Sequence, residues 1–231
     1  MLASQIIESG FPLLALTDKV SFALQLMEDY DVLHLPVTAE EKFAGIVSKD
    51  DLLDAPENIA LAGIQQHFII TSVFPEEHFL SALKMAGRFD VSIIPVISRN
   101  GEITGCIRRK KLIQTLAAFL NVEEPGGMIV VEMDKRNFSF GEISRLIETN
   151  NASITQLNTY TENTTGFFIV TIKINKVEIS DIIATLQRYD SLVSGVQNPV
   201  LVKPVTTSAL LSALNQVAQS ASTNERPLRR A

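Results

Sequence analysis

The sequence predicts a mixed α/β (α+β) protein, and three observations lead to this class. One pattern of helix, strand and turn occurs twice, the second time 59 residues after the first. A cluster of Glu, Pro and Gly at 123–127 then interrupts the chain. Beyond it the apolar patterns follow a new order, β-α-β-β-α-β. We therefore expect two related units followed by a third of another kind.

The repeat is clearest where its first helix ends. Residues 30–37 read YDVLHLPV, and residues 89–96 read FDVSIIPV. Upstream of both segments, apolar residues recur at i, i+3, i+4 and i+7, which is typical of a helix with one buried face. Downstream, residues 45–52 correspond to residues 105–112 with an offset of 60. A repeat in step over helix, strand and turn predicts a pseudo-symmetric module with two related clefts.

Start and stop signals accompany the repeat. Thr17 or Asp18 can cap a helix that Asp31 ends, and Ser48 or Asp50 can open the next helix. The expected elements are helices at 19–30, 76–88 and 110–120, and strands at 32–37, 43–47, 91–97 and 102–107.

Composition narrows the class of protein further. The chain is 46% apolar and 20% charged, which fits a soluble globular chain with a real core. Its net charge of -6 argues against a nucleic-acid-binding surface, which needs a basic stripe. No apolar run reaches the ~18 residues of a membrane span, and no signal segment begins the chain. The lone Cys106 favours a reducing compartment. We expect a cytoplasmic protein with neither nucleic acid nor membrane as a partner.

Recognisable catalytic constellations are missing from the sequence. The three histidines, His34, His67 and His78, lack the spacing of metal ligands, and Cys106 has the apolar neighbours of a core strand. No glycine-rich phosphate loop and no nucleophile turn is present. We expect no enzyme activity, no metal and no covalently bound cofactor.

The repeat resembles a tandem pair of CBS domains (the cystathionine β-synthase type), known as a Bateman module. Three features carry the resemblance: a helix that ends before hydrophobic-Pro-Val, the run Gly-hydrophobic-hydrophobic-Ser-x-x-Asp-Leu in the first copy, and a degraded form of that run in the second. The resemblance implies one CBS domain at 1–58 and another at 59–122.

The segment at 127–204 has the order of a ferredoxin-like split β-α-β unit and resembles an ACT domain. Its expected strands lie at 128–133, 154–160, 168–174 and 193–202. Phe138 stands where amino-acid-binding members of that family place a Gly, which favours a dimerisation sheet over a ligand pocket. Residues 205–231 are expected to form a C-terminal helix and tail. A CBS pair followed by an ACT-like domain is similar to the acetoin-utilisation accessory proteins.

The resemblance implies an adenosyl ligand (AMP, ADP, ATP or S-adenosylmethionine) in the cleft of the first copy. Ser48, at a helix start, can meet a phosphate. Asp51 can accept two hydrogen bonds from a ribose diol, and Leu35-Pro36 offers a wall for the adenine ring. The alternative is that Ser48 only caps its helix and Asp51 only complements the helix dipole. Both interpretations can hold together.

The second copy departs from the motif. Pro95 repeats Pro36, but Arg108 replaces the Ser and Lys111 replaces the Asp. Lys111 has no acceptor, so it cannot take the two hydrogen bonds that the acidic residue of the motif accepts from a ribose diol. The cations at 108–111 can instead hold the phosphates of a nucleotide whose ribose lies elsewhere, or a separate anion. The alternative is an ordinary solvated basic face.

These features together predict a regulatory sensor that binds an adenine nucleotide and acts on another protein. A structural dimerisation adaptor with vestigial clefts is the main alternative, and an unrecognised enzyme is a weaker one. We also expect a homodimer or a larger even-numbered oligomer, because two helices cover only one face of the ACT-like sheet. Phe167, Ile169 and Thr171 would occupy the uncovered face.

Overall fold

The structure, a computed structural model, describes residues 1–8, 10–193 and 203–205. The chain divides into two compact units, unit 1 at Met1–Leu116 and unit 2 at Ala117–Ala231. Unit 1 contains both copies of the repeat, and unit 2 contains the β-α-β-β-α-β segment. No helix among the described residues is both long and apolar enough to cross a membrane.

Both copies of the repeat form the predicted helices and strands, with bounds shifted by at most three residues. In chain order the elements are β1 (Leu14–Ala15), α1 (Val20–Asp29), β2 (His34–Ala39), β3 (Lys42–Ser48), α2 (Lys49–Leu53), α3 (Phe79–Phe89), β4 (Ile93–Ile97), β5 (Ile103–Arg108) and α4 (Arg109–Phe119). A 3-10 helix, Leu61–His67, connects the two copies.

The predicted side-chain cap of α1 is wrong. Lys19 occupies the N-cap position, and no side chain bonds there. The carboxylate of Asp18 instead accepts the backbone N–H of Ala15 at 2.8 Å, so it closes the turn that precedes the helix. Ser48 does cap α2, as the sequence predicts, by accepting the backbone N–H of Asp51.

The two copies share even an irregularity of their hairpins. Strands β2 and β3 pair antiparallel, as do β4 and β5, and each pair contains a β-bulge. The bulges begin after Val37 and after Val96, which occupy equivalent positions. Each of these valines lies opposite a glycine, Gly45 in the first copy and Gly105 in the second. The structural repeat therefore follows the sequence repeat residue by residue.

Each copy is completed by the segment that leads into the other copy. Residues 1–8 lead into β1 and α1 of the first copy, yet the N–H of Glu8 donates to the carbonyl of Cys106 on β5 at 2.9 Å. Conversely, Ile69 leads into the second copy but exchanges two backbone hydrogen bonds, both 2.9 Å, with Ile46 on β3. We call this reciprocal arrangement the lead-in exchange.

The hydrophobic cores show the same exchange. Ala3 and Ile6 are buried among the residues of α3 and β4, in the core of the second copy. Phe68 is buried with the residues of α1 and β2, in the core of the first copy. Because each core takes apolar groups from the other copy's lead-in, neither copy has a complete core of its own.

Two glycines permit the lead-in exchange. A Cβ atom at Gly45 would lie 2.8 Å from the Cβ of Phe68, and one at Gly105 would overlap the Cγ2 of Ile7. Any larger residue would therefore push the crossing segment away from the bulge. The close approach of the crossing segment thus explains the glycine in each copy of the motif.

Unit 2 has the ferredoxin-like architecture that the sequence predicts. The sheet is antiparallel with strand order β7-β8-β6-β9, and the residues of both helices pack against one of its faces. Its elements are β6 (Gly127–Met133), α5 (Phe140–Glu148), β7 (Ile154–Thr161), β8 (Phe168–Ile174), α6 (Ser180–Val193) and β9 (Lys203–Val205). The α+β class is confirmed. Of the predicted strand at 193–202, Val193 instead ends α6 and the rest lies outside the described residues, as does the tail at 206–231.

Strand β8 is buried on both faces, which corrects one expectation. Ile169, expected on an uncovered face, is only 6% exposed, and Lys173 on the same side is 2% exposed. The Lys173 ammonium donates to the backbone carbonyl of Asn121. Burial lowers the pKa of Lys173. Phe138 packs edge-on against Phe168 at 5.2 Å between ring centroids, and is thus part of the core margin.

We predict that Gly45→Ala destabilises the protein by roughly 1–3 kcal/mol, because the added methyl group overpacks the contact with Phe68. Gly87→Ala is the matched control. Gly87 lies in α3 with no atom within 4 Å of an added Cβ, so this change should stabilise by up to ~1 kcal/mol. Urea denaturation followed by circular dichroism measures both. Equal midpoints for the two variants would contradict the packing role of Gly45.

Candidate functional site

The predicted site of the first copy is built where β3 passes into α2. The Oγ of Ser48 accepts the backbone N–H of Asp51 at 3.1 Å. The same hydroxyl donates to the Oδ2 of Asp51 at 2.5 Å. Asp50 and Asp51 both lie in the first turn of α2, where negative charge complements the helix dipole. The capping role of Ser48 is confirmed.

One acceptor of this pair is left over. Among the described residues, no group donates a hydrogen bond to Oδ1 of Asp51, and both Ser48 and Asp51 are half-buried. A carboxylate oxygen can accept from a ligand hydroxyl at this position. The Ser48 hydroxyl, in contrast, can donate to a phosphate only if it leaves Asp51. The geometry therefore suits a diol better than a phosphate at this residue pair.

The apolar residues of the predicted site are core residues. Leu35 is fully buried in the core of the first copy, and Pro36 and Pro95 are also buried. Pro36 pairs with Ile46 in the first hairpin, and Pro95 pairs with Cys106 in the second. These residues fix the strands that carry the site, and the side chain of Leu35 packs inwards.

His34 belongs to this site although the sequence analysis assigned it no role. It pairs directly with Ser48 in the β2–β3 register, so the two side chains lie on the same face of the hairpin. Its Nδ1 accepts the backbone N–H of Ser92 at 3.2 Å and lies 3.0 Å from the Ser92 Oγ. Since Ser92 precedes β4, His34 joins the first copy to the second. The role of His34 could have been inferred from its position directly before Leu35-Pro36 and opposite Ser48 in the hairpin.

The environment keeps the His34 imidazole neutral. Burial and the nearby Arg109 cation lower the pKa of His34 to about 4, against the opposing effects of Asp90, Asp50 and Asp51. The hydrogen bond from the Ser92 amide agrees with this, because an Nδ1 that accepts an N–H carries no proton. The ring proton of the neutral form is therefore on Nε2.

The predicted cation cluster of the second copy is partly neutralised. Arg108 forms an ion pair with Glu8 of the lead-in, which raises the pKa of Arg108. Arg109 pairs with Asp90 at 2.8 Å and donates to the Val91 carbonyl. Lys111 is half-buried and, within the described part of the chain, pairs with no carboxylate. Lys111 is thus the cation of the predicted pair that remains open to a phosphate.

The first amides of the two helices are already used. The N–H of Lys49 donates to the Leu33 carbonyl at 2.9 Å, and that of Arg109 donates to the Ser92 carbonyl at 2.8 Å. These equivalent bonds tie each helix start to the residue just before the first strand of its hairpin. Fewer backbone donors are therefore available to an anion than the helix position alone implies.

Among the described residues we find neither a metal site nor a reactive thiol. No group of His, Cys, Asp and Glu there has the geometry of a metal site. Burial and the Glu8 carboxylate raise the pKa of Cys106 to about 12, so its thiol stays protonated, as a core residue requires. A surface cavity of about 350 Å³ lies elsewhere, between α1 and α2, and contains none of the predicted site residues; it is lined by Ser21, Leu24, Gln25, Glu28, Lys49, Leu53 and Glu57.

Known proteins resemble part of this chain. Inosine-5'-monophosphate dehydrogenase of Korarchaeum cryptofilum is 32% identical over 94 residues, which are 40% of this chain and 20% of that enzyme. The chain thus spans about a fifth of the length of that relative.

Two solved structures are also similar. A CBS domain pair/ACT domain protein from Thermotoga maritima matches 52% of this chain and 99% of its own, with 20% identity and a TM-score of 0.48. An acetoin utilization protein from Vibrio cholerae matches 54% of this chain and 96% of its own, with 24% identity and a TM-score of 0.47.

The family comparison addresses the first copy directly. Residues 3–58 match the family model described as CBS domain, and this region includes both Ser48 and Asp51. The resemblance of this region to a CBS domain, first drawn from its sequence motif, is thereby confirmed.

Proposed function

We propose that the protein is a regulatory sensor that binds an adenine nucleotide in the cleft of its first CBS copy. One observation carries the proposal: within the region that matches the CBS family, the Ser48–Asp51 pair is preorganised and leaves Oδ1 of Asp51 open to a ligand hydroxyl. Asp51 would hold the ribose, and Lys111, with Arg108, would meet the phosphates. The ligand can be AMP, ADP, ATP or S-adenosylmethionine.

The proposed mechanism needs two arrangements of the paired copies. A ligand that contacts both Asp51 and Lys111 touches one copy with its ribose and the other with its phosphates. It changes the balance between the arrangements only if it binds one of them more tightly. Arg108 would have to share its guanidinium between Glu8 and a phosphate. A regulated protein would then read the change, and the ACT-like unit would stabilise it or pass it on.

A structural adaptor is the second candidate. Its support is the loss of the acidic residue in the second copy, where Lys111 stands, and the ion pairs that neutralise Arg108 and Arg109. Phe138 in the core margin of unit 2 adds to this, because it stands where amino-acid-binding members of the ACT family place a Gly. A chain that assembles but binds no adenosine compound would fit the adaptor.

We also propose that the protein assembles as a homodimer or a larger even-numbered oligomer. The support now comes from the helices of unit 1, since Ile169 is buried. Leu53 on α2 is 63% exposed and Phe22 on α1 is 46% exposed. A second copy packed on these helices would cover both side chains.

The ribose contact is tested with Asp51→Asn. Asparagine keeps an acceptor for the Ser48 hydroxyl but removes the charge and one acceptor oxygen, so the fold should persist. We expect adenosine and its nucleotides to bind about 1–3 kcal/mol more weakly by calorimetry. Asp54→Asn, an exposed position at the end of α2, is the control and should bind like wild type. If the wild type binds no adenosine compound at millimolar concentration, the sensor function is wrong.

The phosphate contact is tested by reversing the charges of Arg108 and Lys111 together. We expect the affinity for ATP to fall more than the affinity for adenosine, and the difference to shrink in high salt because exposed charges are screened. Arg99→Glu, which changes an exposed cation on the turn of the second hairpin, is the control. Equal losses for ATP and adenosine would rule out a phosphate contact.

The assembly is tested by light scattering at micromolar concentration. We expect an even multiple of the 25.4 kDa chain mass, and we expect Leu53→Asp to lower it by placing charge in the helical contact. Val177→Asp, at a position 75% exposed in unit 2, should leave the mass unchanged. A wild-type mass near that of one chain contradicts the assembly.

A further inference from the structure

A histidine joins the two CBS copies beside the proposed nucleotide site. His34 lies on the same hairpin face as Ser48. The Nδ1 atom of His34 contacts the second copy, where it accepts the backbone N–H of Ser92 at 3.2 Å. The Ser92 hydroxyl is 3.0 Å from the same nitrogen. The His34 imidazole therefore contacts Ser92, just before β4 of the second copy, and lies on the same hairpin face as Ser48 of the first copy.

The charges around His34 come from both copies. Asp50 and Asp51 belong to α2 of the first copy, and Asp90 and Arg109 flank β4 and β5 of the second. Asp90 and Arg109 form an ion pair at 2.8 Å, so each screens the effect of the other. Burial, followed by Arg109, lowers the pKa of His34 more than the three carboxylates raise it, so the ring stays neutral. A further anion at this junction would act on the same balance in the opposite direction.

We propose that His34 is a ligand-driven switch between the two copies: an anionic nucleotide held at Asp51 makes the imidazole take up a proton from solvent at Nδ1. This inference rests on the proposed function, because it needs the nucleotide in the first-copy cleft. It adds His34 and its protonation to the roles of Ser48 and Asp51.

Protonation changes the hydrogen bonds of the junction. Neutral Nδ1 accepts the N–H of Ser92. Protonated Nδ1 is a donor, so it must turn to the Ser92 hydroxyl oxygen, which is already 3.0 Å away. The Ser92 amide then loses its acceptor and must find another, since an unpaired buried N–H is costly. The junction between the copies thus has two hydrogen-bond arrangements, and the charge on His34 selects one of them.

The sign of the pH dependence follows from linkage. The pKa of His34 in the free protein is about 4, and the nucleotide phosphates raise it. Between the free and the bound pKa, binding takes up protons, so affinity for an anionic ligand increases as the pH is lowered through that interval. Neutral adenosine carries no phosphate charge and should show little of this effect.

The test is proton uptake on binding, measured by calorimetry with ATP at pH 5.5 in buffers of different ionisation enthalpy. Wild type, His34→Asn and His67→Asn are compared, so that the proton uptake of the nucleotide itself cancels. Asparagine places an acceptor oxygen near the position of Nδ1 but cannot titrate there. His67 is an exposed histidine of the connecting 3-10 helix and serves as the matched control.

We expect wild type and His67→Asn to take up the same number of protons, and His34→Asn to take up fewer, by a difference of up to one proton per ATP. With adenosine the three proteins should agree. If ATP binds and all three proteins take up equal numbers of protons, the switch is wrong and the sensor function stands. If neither ATP nor adenosine binds to wild type, both the His34 switch and the sensor function are wrong.

Discussion

The lead-in exchange is the constraint on which the rest of unit 1 depends. Each hairpin binds the segment that precedes the other copy, through Glu8 on Cys106 and Ile69 on Ile46. The contact is possible only because both bulges carry a glycine where the crossing segment comes close. The exchange holds the two copies as one cooperative body, and it places β2 beside β4, where His34 meets Ser92. The contact between His34 and Ser92 therefore exists only where both copies are present.

The exchange also makes the equivalent motif regions of the two copies electrostatically unequal. In the first copy, the motif residue Ser48 bonds within its own helix turn and leaves a carboxylate oxygen available. In the second copy, the equivalent residue Arg108 bonds to Glu8, which arrives from the lead-in. The sequence at 108–111 alone overstates the available positive charge, because two of its four cations pair with carboxylates outside the segment. Arg108 pairs with Glu8, and Arg109 pairs with Asp90. The motif of the first copy thus carries an available carboxylate oxygen, and that of the second carries Lys111 without a carboxylate partner among the described residues.

The periodic parts of the fold were predictable from the sequence, and the long-range contacts were not. The helices of the repeat, the cap at Ser48 and the strand order of unit 2 follow from local patterns that specify local backbone. Residues 1–8 show no such period, because they take their structure from a partner far along the chain. The burial of Ile169 and Lys173 was missed for a related reason, since alternation along β8 identifies its two faces but not what covers them. His34 was missed because its role depends on Ser92, 58 residues away.

The lead-in exchange has a consequence for the order in which the chain is made. Glu8 and Arg108 are 100 residues apart in sequence, so at synthesis rates of about 5–20 residues per second the partner of Glu8 follows it by roughly 5–20 s. During that interval the strands and helices of the second copy are not yet complete, so the apolar side chains of Ala3 and Ile6 have no core to enter. Contacts of such high sequence separation also slow folding, since the loop must close before they form. The nascent chain is therefore most vulnerable to association with other chains between the synthesis of its first and second hairpins.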